Sequence, residues 1–401
     1  MPLNTQAHPL LQQLEPGERA MLARVRTLVA ERIGPDAARV AREDVFAWDT
    51  FRLLAREGVI ATAFPRAWGG SEASMLLRVG LIEELASACS TAASIITGTD
   101  LSSRPIVAGA SDALKAALLP DLSSGATQSA FALTEPGAGS DVARLACRFN
   151  DTPDGSVCLN GTKKFITRAS TADMFVVVAR REGGLQGAKG LSAFVVPRHL
   201  PGVTVSDMIP KLGWYGVPIA MVSFDDVRVP ASHRLGEEGR GMALAQDTLL
   251  RARIGHAAIA LGRMRGALQI ASQYANRREV FGQTVGSHQG IQWMLAEMGA
   301  TVEATRCLVY STALRYDQAD PEVAVQASIA KMRSMAGPSP ACALVQAPVS
   351  ARSRRRACSR RSVAGSSAAS RSARATARRA AAAVAKSGPS PSGSAVAAMR
   401  P

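Results

Sequence analysis

Apolar positions in residues 17–128 recur at helical spacing. Residues 18–33 form a first run, with Gly34-Pro35 as its predicted stop. Phe46, Trp48, Phe51, Leu53 and Leu54 make a second apolar face that lasts until Gly58. A-F-P-R-A-W-G-G-S (63–71) reads as a turn-rich crossing, and 75–93 and 111–119 as further helices. The pattern changes near Gly125. Runs rich in β-branched or apolar residues at 129–133, 157–165, 174–179, 191–196 and 221–229 alternate with N-G, D-G, E-G-G and P-G turn signals. Helical periodicity returns at about Gly241, through 242–277 and 287–316, where Ile291, Leu295, Met298 and Val302 share a face. One more helix begins within 319–332.

These runs divide the chain into a helical segment (1–128), a β segment (129–235), a second helical segment (236–332) and a tail (333–401), an α+β layout. The tail is Ala-, Ser-, Arg-, Pro- and Gly-rich, without aromatic or acidic residues. It cannot offset the entropy of ordering, so disorder is expected.

Charge changes the picture only at that tail. The formal net charge is +15, but 13 of the 47 basic residues lie in 333–401, leaving 34 against 32 acidic residues before it. A basic tail attracts phosphates without sequence preference, and no recognition module or stacking aromatic accompanies it. Specific nucleic-acid binding is therefore not expected. The six cysteines show neither C-x-x-C spacing nor clustering with histidine, which implies free thiols, a reducing compartment and no metal site. The N-terminus lacks a basic region followed by an apolar run, and no membrane span is expected. A cytoplasmic setting is the default.

Candidate chemistry begins at L-T-E-P-G-A-G-S-D (133–141), where closely spaced glycines follow a strand. Such glycines permit a bend and a close ligand approach, but without a following helix they could also be a bare turn. Further motifs follow in order: L-N-G-T-K-K-F-I-T (159–167), K-L-G-W-Y-G (211–216), S-F-D-D-V-R-V-P (223–230), and R-R-E-V-F-G with H-Q-G-I-Q-W-M-L-A-E-M (277–298).

Together with F-A-L-T-E-P-G-A-G-S-D (131–141), they resemble the acyl-CoA dehydrogenase family over about 17–332. The family's fold has an N-terminal helical domain, a middle β-barrel-like domain and a C-terminal helical bundle. The resemblance implies FAD-dependent α,β-dehydrogenation of an acyl-CoA thioester to the trans-2-enoyl-CoA, with an electron-transfer flavoprotein as acceptor and a homotetrameric dimer of dimers. It places Phe131, Leu133, Thr134, Phe165 and Thr167 at the flavin. Arg278, Phe281 and Gln289 would reach the FAD of a neighbouring subunit. Ser140 and Arg253 would contact the acyl-CoA, and 94–100 would line the cavity floor. Arg168 replaces the asparagine usual after I-T in the family. His256, among small apolar residues, reads as a packed or capping histidine rather than a base.

The same resemblance exposes a gap. The family's catalytic carboxylate is either a Glu in a C-terminal Y-E-G-T-like motif or a residue of the first long helix after the β domain. The second position is Ala252, and no Asp or Glu follows Glu322. The family's Gly-Gly segment is absent as well. No catalytic base is therefore identified. Two readings stay open: a C-terminus after about residue 332 read in a wrong frame of a gene for an active enzyme, or a catalytically impaired protein of this fold.

Overall fold

The computed structural model describes residues 8–336, so expectations for 337–401 fall outside the described residues. Pro16–Leu28 (α1), a π-helical turn over Val29–Ile33 and Gly34–Glu43 (α2) follow one another without a stop. The expected termination at Gly34-Pro35 is thus wrong. Pro35 lies in the first turn of α2, directly after the π-helical turn, so the helical path continues through it. Gly34 serves close packing instead, since a Cβ there would meet Val29 O at 2.9 Å. Trp48–Arg56 (α3) turns Phe51, Leu53 and Leu54 inward.

The helix expected over 75–93 is two helices, Met75–Ala88 (α4) and Ser90–Gly109 (α5), broken at the extended Cys89. Ser74 caps α4 by accepting from Leu77 N. Periodicity missed most of α5 because Gly98, Pro105 and many Ser and Thr residues give it weak intrinsic propensity. Burial holds it instead: Ile95, Ile96 and Ile106 are all inaccessible or nearly so. Asp112–Ser124 (α6) ends at Gly125, whose φ of 78° supplies the left-handed cap.

The middle segment forms one eight-stranded sheet. Its strands are Ser129–Ala132 (β1), Arg148–Asp151 (β2), Ser156–Thr167 (β3), Met174–Arg181 (β4), Leu191–Pro197 (β5), Val203–Val205 (β6), Ile219–Pro230 (β7) and Arg234–Leu235 (β8). Their order is β6-β7-β3-β2-β4-β5-β8, with β1 parallel to β4. All five expected strands are present; β2, β6 and β8 are too short to show a pattern. Side-chain alternation explains the double burial of β4. Val176 and Val178 join the core shared with the helices, while Phe175 and Val177 join a second core on the sheet's other face.

Gly241–Ala275 (α7) returns across α4 and α5. A hairpin of Glu279–Val280 (β9) and Gln283–Thr284 (β10) leads to Gln289–Asp317 (α8) and Val323–Met335 (α9). Helix α9 runs three residues into the segment expected to be disordered, because its apolar face continues to the buried Ser334. Glycines set the α4–α7 spacing: a Cβ at Gly266 would lie 2.1 Å from Ser87 O, and one at Gly262 2.4 Å from Glu83 O. Gly266→Val is expected to lower unfolding stability by about 1–3 kcal/mol, read by urea denaturation.

Apolar side chains stay exposed along the end of α7, the start of α8 and α9: Tyr274 at 62%, Trp293 at 64% and Met332 at 67%. Among the described residues no helix is long and apolar enough to cross a membrane, and none of the His, Cys, Asp and Glu groupings could hold a metal ion.

Candidate active site

The loop after β1 is pinned by a buried ion pair. Lys163 of β3, fully inaccessible, donates from Nζ to Glu135 Oε1 (2.7 Å), Leu133 O (3.0 Å) and Val178 O (2.6 Å). Glu135 in turn accepts from the backbone N–H groups of Ala146 (2.6 Å) and Cys147 (3.0 Å). Every partner is supplied, which is the condition for a buried charge pair to persist. Both residues were inside the quoted motifs, yet neither was singled out. The available signal was a lysine on the inward side of a strand otherwise buried there.

That clamp brings two sequence-selected groups together. Lys164 N donates to Thr134 O at 2.8 Å, so Phe131, Leu133 and Thr134 adjoin Phe165 and Thr167. Leu133 is buried; Phe131, Thr134 and Thr167 are partly accessible. Phe165 is 56% exposed, with φ of 59°, at the bulge between Lys163 and Ile166. The Thr134 and Thr167 hydroxyls have no hydrogen-bond partner among the described residues. The result is an accessible aromatic ring, with Lys164 Nζ 5.1 Å from its centroid, on a patch that also carries the two threonines. Ser140 lies exposed farther along the same loop.

Arg168 points inward behind this patch. It is 2% exposed and donates to Thr99 Oγ1 (3.2 Å), Ser129 O (3.3 Å) and Ser102 Oγ (3.5 Å). No carboxylate is among these partners, and burial pushes its pKa down to about 10. A Cβ on Gly98 would stand 3.0 Å from its Cζ, so α5 needs glycine where the guanidinium lies.

The loop after β6 closes the arrangement. Pro218 O accepts from Arg168 N at 2.7 Å, and Thr91 Oγ1 of α5 donates to Tyr215 O at 2.7 Å. Trp214 from this loop meets His256 of α7 edge-on, with ring centroids 6.0 Å apart. Ala252 and Arg253 are partly accessible, one turn before His256. Arg253 has no ion-pair partner among the described residues. Its neighbour Arg251 binds Asp100 (3.0 Å), which Arg78 also approaches at 3.1 Å. Asp100, the end of the expected cavity floor, is thus committed to two arginines.

Arg278, Phe281 and Gln289 lie elsewhere, on the exposed β9–β10 hairpin and the first residue of α8. Phe281 is 95% exposed, and Arg278 lines an open groove of about 360 Å³ with Ile270, Gln273, Tyr274 and Arg277. Within this chain these three are not gathered at the loop–strand patch.

Helical, β and helical parts in this order, with a clamped loop at the rim of the sheet, make up the acyl-CoA dehydrogenase fold. The family descriptions that match are acyl-CoA dehydrogenase N-terminal domain (residues 15–126), middle domain (130–227) and C-terminal domain (239–336). The chain belongs to the acyl-CoA dehydrogenase family. It is 35% identical over 306 residues to acryloyl-CoA reductase (NADH) of Anaerotignum propionicum, covering 76% of this chain and 77% of that one. It is 36% identical over 302 residues to an acyl-CoA dehydrogenase of Bacillus subtilis (strain 168), covering 74% and 78%. Butyryl-CoA dehydrogenase from Megasphaera elsdenii superposes with a TM-score of 0.76 at 31% identity, over 80% of this chain and 84% of that one. Membership supports oxidative CoA-thioester chemistry in general.

Proposed function

We propose that this chain binds FAD and an acyl-CoA thioester in the cytoplasm and dehydrogenates the thioester to the trans-2-enoyl-CoA, an electron-transfer flavoprotein being the acceptor. The observation that carries the reading is the accessible Phe165 ring on the patch that also holds the Thr134 and Thr167 hydroxyls, neither with a hydrogen-bond partner among the described residues. A flat ring with polar edges needs that combination of aromatic cover and hydrogen-bonding groups. The residues present therefore fit the flavin end of FAD. Bound there, FAD would supply the acceptor for the substrate's β-hydride.

The chain's own residues have separable tasks. Phe131 and Leu133 give the ring an apolar floor, and the Glu135–Lys163 clamp holds Thr134 in place. Arg253, a cation on α7 with no ion-pair partner among the described residues, and Ser140, an exposed hydroxyl, suit the CoA portion. Arg278, Phe281 and Gln289, away from this patch with Phe281 exposed, would suit the FAD of a second copy in a homo-oligomer built as a dimer of dimers. The segment 129–235 carries the flavin-facing residues and Ser140, and 236–332 adds Arg253 and the exposed Arg278, Phe281 and Gln289.

A second reading is favoured by one observation. Ala252 offers no titratable group at the alternative base position, so a flavin-holding, catalytically impaired protein is the rival. FAD titration of the full chain, followed by quenching of flavin fluorescence, tests the shared premise. Thr134→Val with Thr167→Val removes two hydrogen bonds of about 0.5–1.5 kcal/mol each. FAD affinity is expected to fall about 5- to 150-fold; unchanged affinity would refute the assignment.

A further inference from the structure

His256 is packed on α7 as expected, edge-on against Trp214, but only one of its two ring nitrogens is engaged. Nδ1 lies 2.7 Å from Ala252 O. A carbonyl oxygen can only accept, so Nδ1 carries the proton and Nε2 keeps its lone pair. The ring is partly accessible, and Nε2 has no hydrogen-bond partner among the described residues. The i,i+4 relation puts His256 on the same face as Ala252, one turn along.

The other elements around the ring lead back to the flavin-facing strand. Trp214 touches the imidazole edge-on, its loop runs to Pro218, and Pro218 O accepts from Arg168 N directly after Thr167. The charged neighbour contributed by α9 is Lys331. Burial first, and Lys331 in addition, lower the imidazole's pKa from 6.5, while the Ala252 carbonyl opposes them. A neutral ring near pH 7 is the outcome.

We propose that His256 Nε2 serves as the base that takes the α-proton of a bound acyl-CoA, in place of the missing carboxylate at Ala252. This rests on the acyl-CoA reading above. In the step, the Cα–H bond breaks and an N–H bond forms at Nε2. The C–H electron pair passes into the enolate, delocalised onto the thioester carbonyl oxygen. Return of the proton restores the acyl-CoA, so in D2O the α-position acquires deuterium without any net oxidation.

The experiment uses the full chain with butyryl-CoA in D2O, reading α-deuteration by mass spectrometry and affinity by calorimetry in parallel. Wild-type protein is expected to exchange well above the buffer rate. His256→Asn retains a side-chain N–H toward the Ala252 carbonyl but no basic nitrogen. It is expected to slow exchange at least about 100-fold with butyryl-CoA affinity unchanged. Adding Ala252→Glu to that variant is expected to restore exchange, which also shows that the variant remains folded. Wild-type exchange is expected to decline on acidification, as the imidazole takes up its proton below pH 6.5. Binding without exchange in the wild type, or exchange unaffected by His256→Asn, would overturn the assignment of the base. Absence of butyryl-CoA binding in the wild type would overturn the acyl-CoA reading together with it.

Discussion

Lys163→Met is expected to lower unfolding stability by about 3–5 kcal/mol, the range for removing one partner of a buried ion pair. The variant leaves the Glu135 carboxylate in a site that is only 6% exposed, with two backbone N–H groups and no cation. It also strips Leu133 O and Val178 O of their common donor. The loop that carries Thr134 should loosen, so FAD affinity should fall with stability. Glu135→Gln in the same background removes the stranded charge and should recover part of the loss. Urea denaturation measures both; a loss below about 1 kcal/mol would mean that the clamp is dispensable.

The second large effect is expected at the helix interface. Arg265 of α7 binds Glu84 of α4 through both oxygens, at 3.2 and 2.6 Å, and approaches Glu83 at 3.5 Å. Arg306 and Tyr310 of α8 complete the Glu83 side, at 3.0 and 2.5 Å. Arg265→Met should cost about 3 kcal/mol at neutral pH, since Arg26 alone remains on Glu84. Burial alone would raise the Glu84 pKa, but Arg265 and Arg26 outweigh it and hold the carboxyl below its ordinary 4.5. A depressed carboxylate stabilises the fold above the unfolded pKa and loses that contribution as pH falls through the folded value. The difference between wild type and Arg265→Met should therefore be full above pH 4.5 and shrink below it. A difference independent of pH would contradict this account.

Much of the fold was legible because long apolar patterns dominate it. Strands β3, β4, β5 and β7 and helices α7 and α8 carry enough periodic residues to declare themselves. Helix α5 did not, because its hydroxyl-rich, proline-containing sequence is helical only through burial. Gly34-Pro35 misled for a related reason: proline after glycine suits a helix start as well as a stop, and packing against Val29 and Ala88 decides. At the site, the adjacency of Phe165 and Thr167 to Thr134 followed from motif resemblance. The clamp beneath them and the tautomer of His256 did not, since each depends on partners far apart in sequence or on a backbone carbonyl. Arg168 was noticed as a departure, but its burial among hydroxyls required the path of α5.

Anaerobic titration of the FAD-loaded full chain with butyryl-CoA tests the central claim most directly. Loss of the bound flavin's visible absorbance, matched by an equal amount of 2-enoyl-CoA, is the expected result. Saturating, measurable butyryl-CoA binding that leaves the oxidised flavin spectrum in place and forms no enoyl-CoA would contradict it.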